Sequence, residues 1–334
     1  MIFVKTIFAE TADGVPLPVI DVTHPRFAVP DDPESLAAQH AAFLAWHDKR
    51  RLMPRFVTRL LIRLAARRSR LLRAMVSTEA DYLDSISTYV MKLGEQDLPP
   101  GFDGPVDRKV AAAPHVLFLR LRMQQVAVLL ADALVAPLRC DSAAPLHFVN
   151  IAGGPALDSI NAVILLRRAR PELLVRPVVI HVLDARSEGP AFGANALAAL
   201  AVEGGPLAGL DVALGHQPYD WNDTAPLVRL LAELAARGVI IAASSEGGLF
   251  EYGSDAAITA NLEAMSAAGV DVVAGSVTSA SDIRKRMIAV TRFRLFPRGL
   301  DGFAPLARAG GYAIAASAPA VLSEQVLLRR VGRG

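Results

Sequence analysis

Side chains that could do chemistry occur in short polar segments that directly follow apolar runs. Glu246 in SSEGG could position an amine or act as a general base, and capping of the following turn is the alternative. Asp184 ends VIHVLD and could bind the hydroxyls of a ribose, unless it is a helix cap or a surface acid. In PYDWND, Asp220 could hydrogen-bond to an adenine and Trp221 could stack on it, although Trp221 could instead belong to the core. These residue types together indicate a nucleoside site.

A glycine turn precedes these segments in LHFVNIAGGPALDS, residues 146–159. Gly153 and Gly154 permit backbone conformations and a close ligand approach that side chains would block. Asn150 offers an amide for hydrogen bonding but no charge. The pyrophosphate fingerprint G-x-G-x-x-G and the P-loop lysine are both absent from this segment. An ordinary strand-to-helix turn therefore stands beside the nucleotide-binding interpretation.

The elements that must position these segments alternate between apolar β-type runs and helical patterns. Long apolar runs separated by crossover helices imply parallel strands that are buried on both faces. The last two runs are joined by only a few residues, which permits an antiparallel pair but not a parallel crossover. The sequence predicts a Rossmann-like, seven-stranded, mostly parallel α/β sheet with an antiparallel final strand. The seven runs are LHFVNIA, VRPVVIHVLD, LDVALG, GVIIAASS, VDVVAGSV, GYAIAAS and SEQVLLRR.

The first part of the chain predicts a mainly α-helical domain over residues 1–140, with the Rossmann-like domain over residues 141–334. Residues 1–30 suggest a hairpin or an extended arm that could pack on a partner subunit. Further along, Tyr82, Ser85 and Tyr89 have near-helical spacing, with Lys92 following. Such a face could line a substrate pocket under a lid, and core packing is an equal alternative.

A basic segment, residues 49–73, contains ten basic residues and no acid. Apolar residues recur within it at helical spacing, which predicts a basic amphipathic helix. Such a helix can pair with acids of its own fold, lie on an anionic membrane or bind RNA phosphates. We favour pairing within the fold. The basic residues are Lys49, Arg50, Arg51, Arg55, Arg59, Arg63, Arg67, Arg68, Arg70 and Arg73.

Composition restricts the remaining function classes. The 334 residues are 52% hydrophobic with a net charge of +2, which fits a globular protein and by itself indicates no polyanionic partner. One cysteine, Cys140, excludes an intramolecular disulfide framework and a cysteine-based zinc cluster. We expect no metal site, no signal peptide and no membrane span, and we expect a cytoplasmic location.

The whole pattern resembles the class I S-adenosylmethionine-dependent methyltransferases over roughly residues 130–330. That family carries acid-x-G-x-G-x-G in its first loop; here Asn150 stands at the acid, and Ala152, Gly154 and Ala156 stand at the three glycines. The acid after the second strand matches the ribose-binding acid of the family. The resemblance implies S-adenosylmethionine as the cofactor. It places the cofactor site at Asn150, Ala152, Gly153, Gly154, Asp184, Asp220, Trp221 and Ser245.

The activity implied by this resemblance is methyl transfer to a small-molecule acceptor, with a role in specialised metabolism. Glu246 or Tyr89 would orient the acceptor or take its proton. The expected assembly is a homodimer, because helical N-terminal regions of such enzymes often dimerise. The alternative is a non-catalytic Rossmann-like binding or assembly protein with a weakened cofactor site, followed by an NAD-dependent oxidoreductase. The acceptor atom is left open among oxygen, nitrogen, sulfur and carbon.

Overall fold

The computed structural model describes residues 5–51, 54–76, 84–289 and 293–332. The N-terminal part begins with a small antiparallel hairpin, as the sequence predicted, and continues as helices. Its elements are β1 (Phe8–Glu10), β2 (Pro16–Pro18), α1 (Pro33–Arg51), α2 (Arg55–Ala66), α3 (Arg70–Val76), α4 (Ser85–Leu93), α5 (Pro105–Ala111) and α6 (Pro114–Cys140).

The remainder of the chain alternates strands and helices, with one short 3-10 turn at Pro171–Leu174. Its elements are β3 (Leu146–Ile151), α7 (Leu157–Ala169), β4 (Val178–Asp184), α8 (Glu188–Ala201), β5 (Val212–Pro218), α9 (Ala225–Ala236), β6 (Ile240–Ser245), α10 (Leu249–Tyr252), α11 (Asp255–Ala267), β7 (Val272–Thr278), α12 (Asp282–Ile288), α13 (Gly299–Ala309), β8 (Tyr312–Pro319) and β9 (Ser323–Arg330).

Seven of these strands form one sheet in the order β5-β4-β3-β6-β7-β9-β8. The first five strands of that order pair in parallel, and β9 is antiparallel to both β7 and β8. Each of the seven apolar runs forms a strand, so the predicted Rossmann-like sheet with an antiparallel final strand is confirmed. The strand order reverses between β3 and β6, and ligands of open α/β sheets bind at such a switch point.

The core lies on both faces of the sheet because successive side chains of a strand point to opposite sides. On β3, Leu146 and Phe148 belong to the layer that contains α6, α7 and α8. Val149 and Ile151 belong to the opposite layer with α9, α10, α11 and α13. All six residues of β3 are buried and four of them are apolar, as expected for a strand covered on both faces.

Helix α6 belongs to the sheet layer, although the sequence placed it in the N-terminal domain. It packs against α7, β6, β7 and β9, so its apolar residues extend the main core. Among the described residues, α6 is the one helix long and apolar enough to cross a membrane, and 67% of the relevant stretch is buried inside the fold. That burial is typical of a core helix. The boundary at residue 140 stays a prediction.

The N-terminal arm packs on its own chain. Leu17 and Ile20 are buried in the main core. The backbone N–H of Ile20 donates to the Tyr89 hydroxyl at 3.1 Å, and that of Val22 donates to Asn161 Oδ1 at 2.8 Å. The chain itself buries these apolar side chains, whereas Phe8 of the same arm is 54% exposed, and the packing of the arm on a partner subunit stays a prediction.

Candidate active site

A cavity of about 830 Å³ lies at the carboxyl edge of the parallel strands and extends between α4, α6 and α12. Its size falls in the usual range of small-molecule sites. The turn after β3 and the segments after β4, β5 and β6 all line it, because carboxyl ends of parallel strands share one edge. The predicted site residues that line it are Ala152, Gly153, Gly154, Asp184, Asp220, Trp221, Glu246 and Tyr89.

The turn after β3 has a left-handed backbone at alternate positions. The φ angles of Ala152, Gly154 and Ala156 are 53°, 57° and 53°. Left-handed conformation costs a non-glycine residue about 1–2 kcal/mol, yet both alanines adopt it. At Gly154 a side chain is also excluded by space, since a Cβ there would lie 2.7 Å from the Cβ of Ser85 at the start of α4. The turn thus keeps the path of a glycine-rich loop although two of its residues are alanine.

Asp184 joins this turn to the end of β4. Its Oδ2 accepts a hydrogen bond from the Gly154 backbone N–H at 3.1 Å, and its Oδ1 accepts one from that of Arg186 at 2.9 Å. Burial raises the pKa of Asp184, partly opposed by these hydrogen bonds. The carboxylate lines the cavity and each oxygen keeps a further lone pair, so it can still accept bonds from vicinal hydroxyls of a ligand.

Asn150 and Ser245 lie beneath the turn and do not line the cavity. The amide nitrogen of Asn150 donates to Asp158 Oδ1 at 2.7 Å and to Ser244 Oγ at 3.0 Å. The hydroxyl of Ser245 donates to the Ile151 carbonyl at 2.9 Å. The two residues link β3 to α7 and β6 beneath the turn, and their predicted direct contact with the cofactor stays a prediction.

Asp158 is a buried acid that the sequence-based predictions missed. It lies two residues into α7 and is bonded to Asn150, the residue that replaces the acid of the family motif. Burial, and secondarily repulsion from Glu246, raises the pKa of Asp158 to about 6. The sequence ALDS contained a signal for this acid, because the second residue of a helix that starts at Leu157 lies close beneath the glycine turn.

Glu246 belongs to a buried network of charges at the inner end of the cavity. Its carboxylate pairs with Lys92 of α4, and its Oε1 accepts from Arg122 Nε at 2.5 Å. Arg122 also pairs with Glu251 at 2.9 Å. Burial alone would raise the pKa of Glu246, but attraction to Arg122 and Lys92 and their hydrogen bonds outweigh it, so the pKa is lowered. The predicted role as proton acceptor is therefore corrected, because a carboxylate held ionised in this way is a weak base.

Tyr89 lines the cavity with its ring, but its hydroxyl is bonded elsewhere. The hydroxyl donates to the Pro18 carbonyl at 2.5 Å and accepts from the Ile20 backbone N–H. Burial raises the pKa of this phenol. The prediction that Tyr89 orients the methyl acceptor or takes its proton is corrected, because its hydroxyl donates its hydrogen bond to the N-terminal arm.

The neighbours of Tyr89 on α4 follow the predicted pattern. Ser85 and Lys92 line the cavity on the same helix face, as the spacing indicated, whereas Tyr82 lies outside the described residues. At the opposite rim Asp220 is exposed and its carboxylate accepts two bonds from Asn222. Trp221 is half-buried between the cavity and the core, so both of its predicted roles remain open.

The basic segment spans the end of α1, all of α2 and the start of α3, and none of its described arginine side chains forms a salt bridge with a described acid. None of the described arginines between residues 59 and 73 forms a salt bridge with a described acid; Arg59 donates to the Ala289 carbonyl and Arg70 lies over the ring of Phe102. The favoured prediction of pairing within the fold is therefore wrong for these residues. Helix α2 also leaves apolar side chains in solvent: Phe56, Leu60, Leu61 and Leu64 are 74%, 55%, 48% and 47% exposed.

His115, at the start of α6, also lines the cavity and was not singled out from the sequence. Its ring centroid lies 5.0 Å from that of Trp46. The sequence offered no signal for it, because neither its helix nor its neighbours carry a catalytic motif. Within the described ranges, no group of three histidine, cysteine or acidic side chains could hold a metal ion.

Comparison with known proteins supports the fold assignment. Neither a family model nor a curated protein matches this chain. A solved structure of a possible exported protein from Bordetella parapertussis shares 15% identity, covering 91% of this chain and 100% of that one with a TM-score of 0.51. At that identity the similarity shows a common fold and no more.

Solved methyltransferases also match over parts of the chain. An O-methyltransferase of neocarzinostatin biosynthesis, in complex with S-adenosyl-L-homocysteine and 1,4-dihydroxy-2-naphthoic acid, shares 18% identity over 67% of this chain, with a TM-score of 0.40. The match covers 58% of that enzyme, less than two-thirds of its length. A riboflavin-derivative dimethyltransferase from Streptomyces davawensis shares 16% identity over 76% of this chain and 71% of its own, with a TM-score of 0.39.

Proposed function

We propose that this protein transfers the methyl group of S-adenosylmethionine to a small-molecule acceptor. The observation that carries this proposal is the convergence of the left-handed turn at residues 152–156, Asp184 and Trp221 on one cavity. The cavity continues from that edge towards apolar side chains of α4 and α6. A cavity with a nucleoside-type end and an apolar end can hold the methyl donor and an apolar methyl acceptor next to each other.

The residues at the sheet edge fit the methyl donor in type and position. Asp184 can accept hydrogen bonds from ribose hydroxyls, and Asp220 with Trp221 can hydrogen-bond to and stack on adenine. Gly153 and Gly154 line the cavity, where their backbone can contact the methionine part, and Asn150 and Ser85 fill the space that a Cβ would need at these two positions. When bound, this cofactor supplies an electrophilic methyl group on a sulfonium sulfur.

The chain's own contribution to such a reaction is alignment and exclusion of water. Met91, Val116, Phe118 and Leu119 line the acceptor end of the cavity with apolar surface. The ionised Glu246, which follows β6, pairs with Lys92 of α4 and Arg122 of α6. These two ion pairs hold α4 and α6 against the site. Glu246 is thus proposed as a positioning residue.

We propose His115 as the proton acceptor for an acceptor hydroxyl or amine. An imidazole ordinarily titrates near neutral pH, which suits a general base. The Tyr89 hydroxyl is bonded to the arm and Glu246 is paired with cations, so neither is available as a base. Among the described residues that line the cavity, His115 is the one histidine. In the H115Q variant, kcat should fall while the affinity for S-adenosylhomocysteine stays unchanged. An unchanged kcat would assign the proton to another group.

Calorimetry tests the proposed function directly. The protein is titrated with S-adenosylhomocysteine and, separately, with NADH. We expect binding of the sulfur nucleoside alone and at least a tenfold weaker affinity in D184A, because a charged acceptor of ribose hydroxyls is lost. D223A, an exposed acid near the same edge and not on the cavity lining, is the matched control. Absence of heat and of thermal stabilisation with S-adenosylhomocysteine would refute the proposal, and binding of NADH would favour an oxidoreductase.

The proposed setting is specialised metabolism, in the cytoplasm, as a homodimer. An apolar cavity of about 830 Å³ supports an organic small molecule as the acceptor, and an exposed, unpaired Cys140 supports a reducing compartment. The exposed apolar face of α2 supports a second copy of the chain as its cover. Analytical ultracentrifugation should show a dimer that the double variant L60Q/L64Q dissociates and that V228Q, at an exposed position on α9, leaves intact. A monomeric wild type that binds anionic vesicles or RNA would instead favour the alternatives considered for this segment.

A further inference from the structure

Arg284 is a cavity-lining cation that forms no salt bridge with a described residue. It lies on α12, directly after β7, and its Nε is buried with no hydrogen-bond partner among the described residues. Its backbone N–H donates to Oγ of Ser281, the N-cap residue of α12, at 3.3 Å. A buried guanidinium donor without an acceptor is costly, so its presence at a cavity wall points to a ligand as the acceptor.

Among the described residues that line this end of the cavity, cations outnumber carboxylates. Lys92 and Arg122 share Glu246, and Arg122 also binds Glu251. Arg284 is the third cation of this described group, which contains two carboxylates. Burial lowers the pKa of Arg284, with attraction to Glu251 partly opposing it, as expected for a charge that is incompletely neutralised. A monoanion restores the balance, whereas a phosphate dianion would exceed it.

Apolar side chains of α12 and of the segments that follow it in the chain line the same cavity as Arg284. They include Met287, Phe293, Leu295 and Leu322. A ligand that reaches the guanidinium must therefore present an apolar body to these side chains and a compact anionic group to the arginine. The planar fork of arginine binds a carboxylate through two parallel hydrogen bonds.

We propose that Arg284 forms a carboxylate subsite, and that the methyl acceptor is an apolar molecule, such as an aromatic one, that carries one carboxylate. This inference rests on the proposed function and names the substrate class for the same cavity. The alternative is structural: Glu251 Oε1 also lacks a hydrogen-bond partner among the described residues, and a small side-chain movement could pair it with Arg284. The experiment separates the two.

The test compares two probes that differ by one carboxylate, 3-hydroxy-2-naphthoate and 2-naphthol. Their affinities are measured by fluorescence for the wild type, R284Q, R284K and K285Q, each saturated with S-adenosylhomocysteine. Lys285 is the matched control because it carries the same charge on the same helix but is exposed, 3.9 Å from Asp282. We expect the wild type and K285Q to prefer the carboxylate probe at least tenfold. R284Q should lose that preference without weaker binding of 2-naphthol, and R284K should retain part of it, since lysine lacks the planar fork.

Three outcomes overturn the inference: equal affinity of the wild type for the two probes, a carboxylate preference that R284Q retains, or failure of the wild type to bind either probe. A loss of thermal stability in R284Q with unchanged probe preference would assign Arg284 to the Glu251 pair. Failure of the proposed function is recognised separately, because S-adenosylhomocysteine binding is measured first. Without that binding, an Arg284-dependent carboxylate preference would support the subsite and refute methyl transfer.

Discussion

Replacement of Asp158 by asparagine should make the protein more stable at neutral pH than the wild type. The side chain is fully buried beneath the turn at residues 152–156 and lies next to Asn150. Its pKa is raised from 3.8 to about 6, first by burial and then by Glu246. An asparagine at this position has nearly the same shape, keeps an oxygen that can accept from Asn150 and carries no charge.

The expected magnitude follows from the shift in pKa. A difference between 3.8 and about 6 corresponds to about 3 kcal/mol, because each pKa unit is worth about 1.4 kcal/mol. Below about pH 4 the acid is protonated in both the folded and the unfolded state. Between about pH 4 and 6 the folded state keeps a proton that the unfolded state has lost, so the stability of the wild type falls as the pH rises. Above about pH 6 the full penalty applies, and D158N avoids it.

Urea unfolding between pH 4 and 8 measures this effect. The free energy of unfolding of D158N minus that of the wild type should rise by about 3 kcal/mol across the range, most of it before pH 6.5. D132N replaces an exposed acid on α6 and should give a flat difference. Parallel curves for wild type and D158N would refute the reasoning, since they would mean that the folded protein does not perturb this acid.

Three further predictions follow from the same structure. A152G should raise the free energy of unfolding by up to about 1 kcal/mol, because relief of the left-handed backbone exceeds the entropic cost of glycine. The control A162G, in helix α7, should lower the free energy of unfolding. A destabilised A152G would contradict the strain assigned to the turn. Burial and the neighbouring His181 lower the pKa of His147 to about 4, so the folded state loses stability as the pH falls from about 6.5 towards 4. H147F should show a shallower acid-side slope in thermal unfolding, and an unchanged slope would place the sensitivity elsewhere. Y89F should lose about 1–2 kcal/mol by urea unfolding, since two hydrogen bonds to the arm are lost, with unchanged affinity for S-adenosylhomocysteine; weaker binding would restore a direct role for the hydroxyl.

The order of elements was predictable because it depends on local patterns. A continuous apolar run such as LHFVNI forms a strand wherever both faces are covered, and its place before a glycine turn brings Ala152 to the cavity. The carboxyl ends of parallel strands share one edge, so Asp184, Asp220 and Glu246 also reach one cavity without knowledge of side-chain contacts. Spacing alone likewise placed Ser85 on the lining face of α4.

The roles of charged and polar groups were not predictable, because they depend on partners distant in the sequence. Glu246 was expected as a base, but Lys92 and Arg122 approach it from helices more than a hundred residues earlier in the chain and keep it ionised. The Tyr89 hydroxyl donates to the arm instead of to an acceptor molecule, and Arg59 and Arg63 of α2 form no salt bridge with a described acid.

The sequence by itself determined the Rossmann-like sheet, its antiparallel final strand and the set of loops that surround the site, since strand periodicity and connection length restrict topology locally. Only the tertiary structure decided that Asn150 lies beneath the turn, that Asp158 is the buried acid beside it and that Arg284 faces the cavity without a salt bridge to any described residue. The physical reason is that burial and electrostatic pairing are properties of the assembled space between elements. They set the protonation state and the free hydrogen-bonding capacity of each side chain, and residue type alone sets neither.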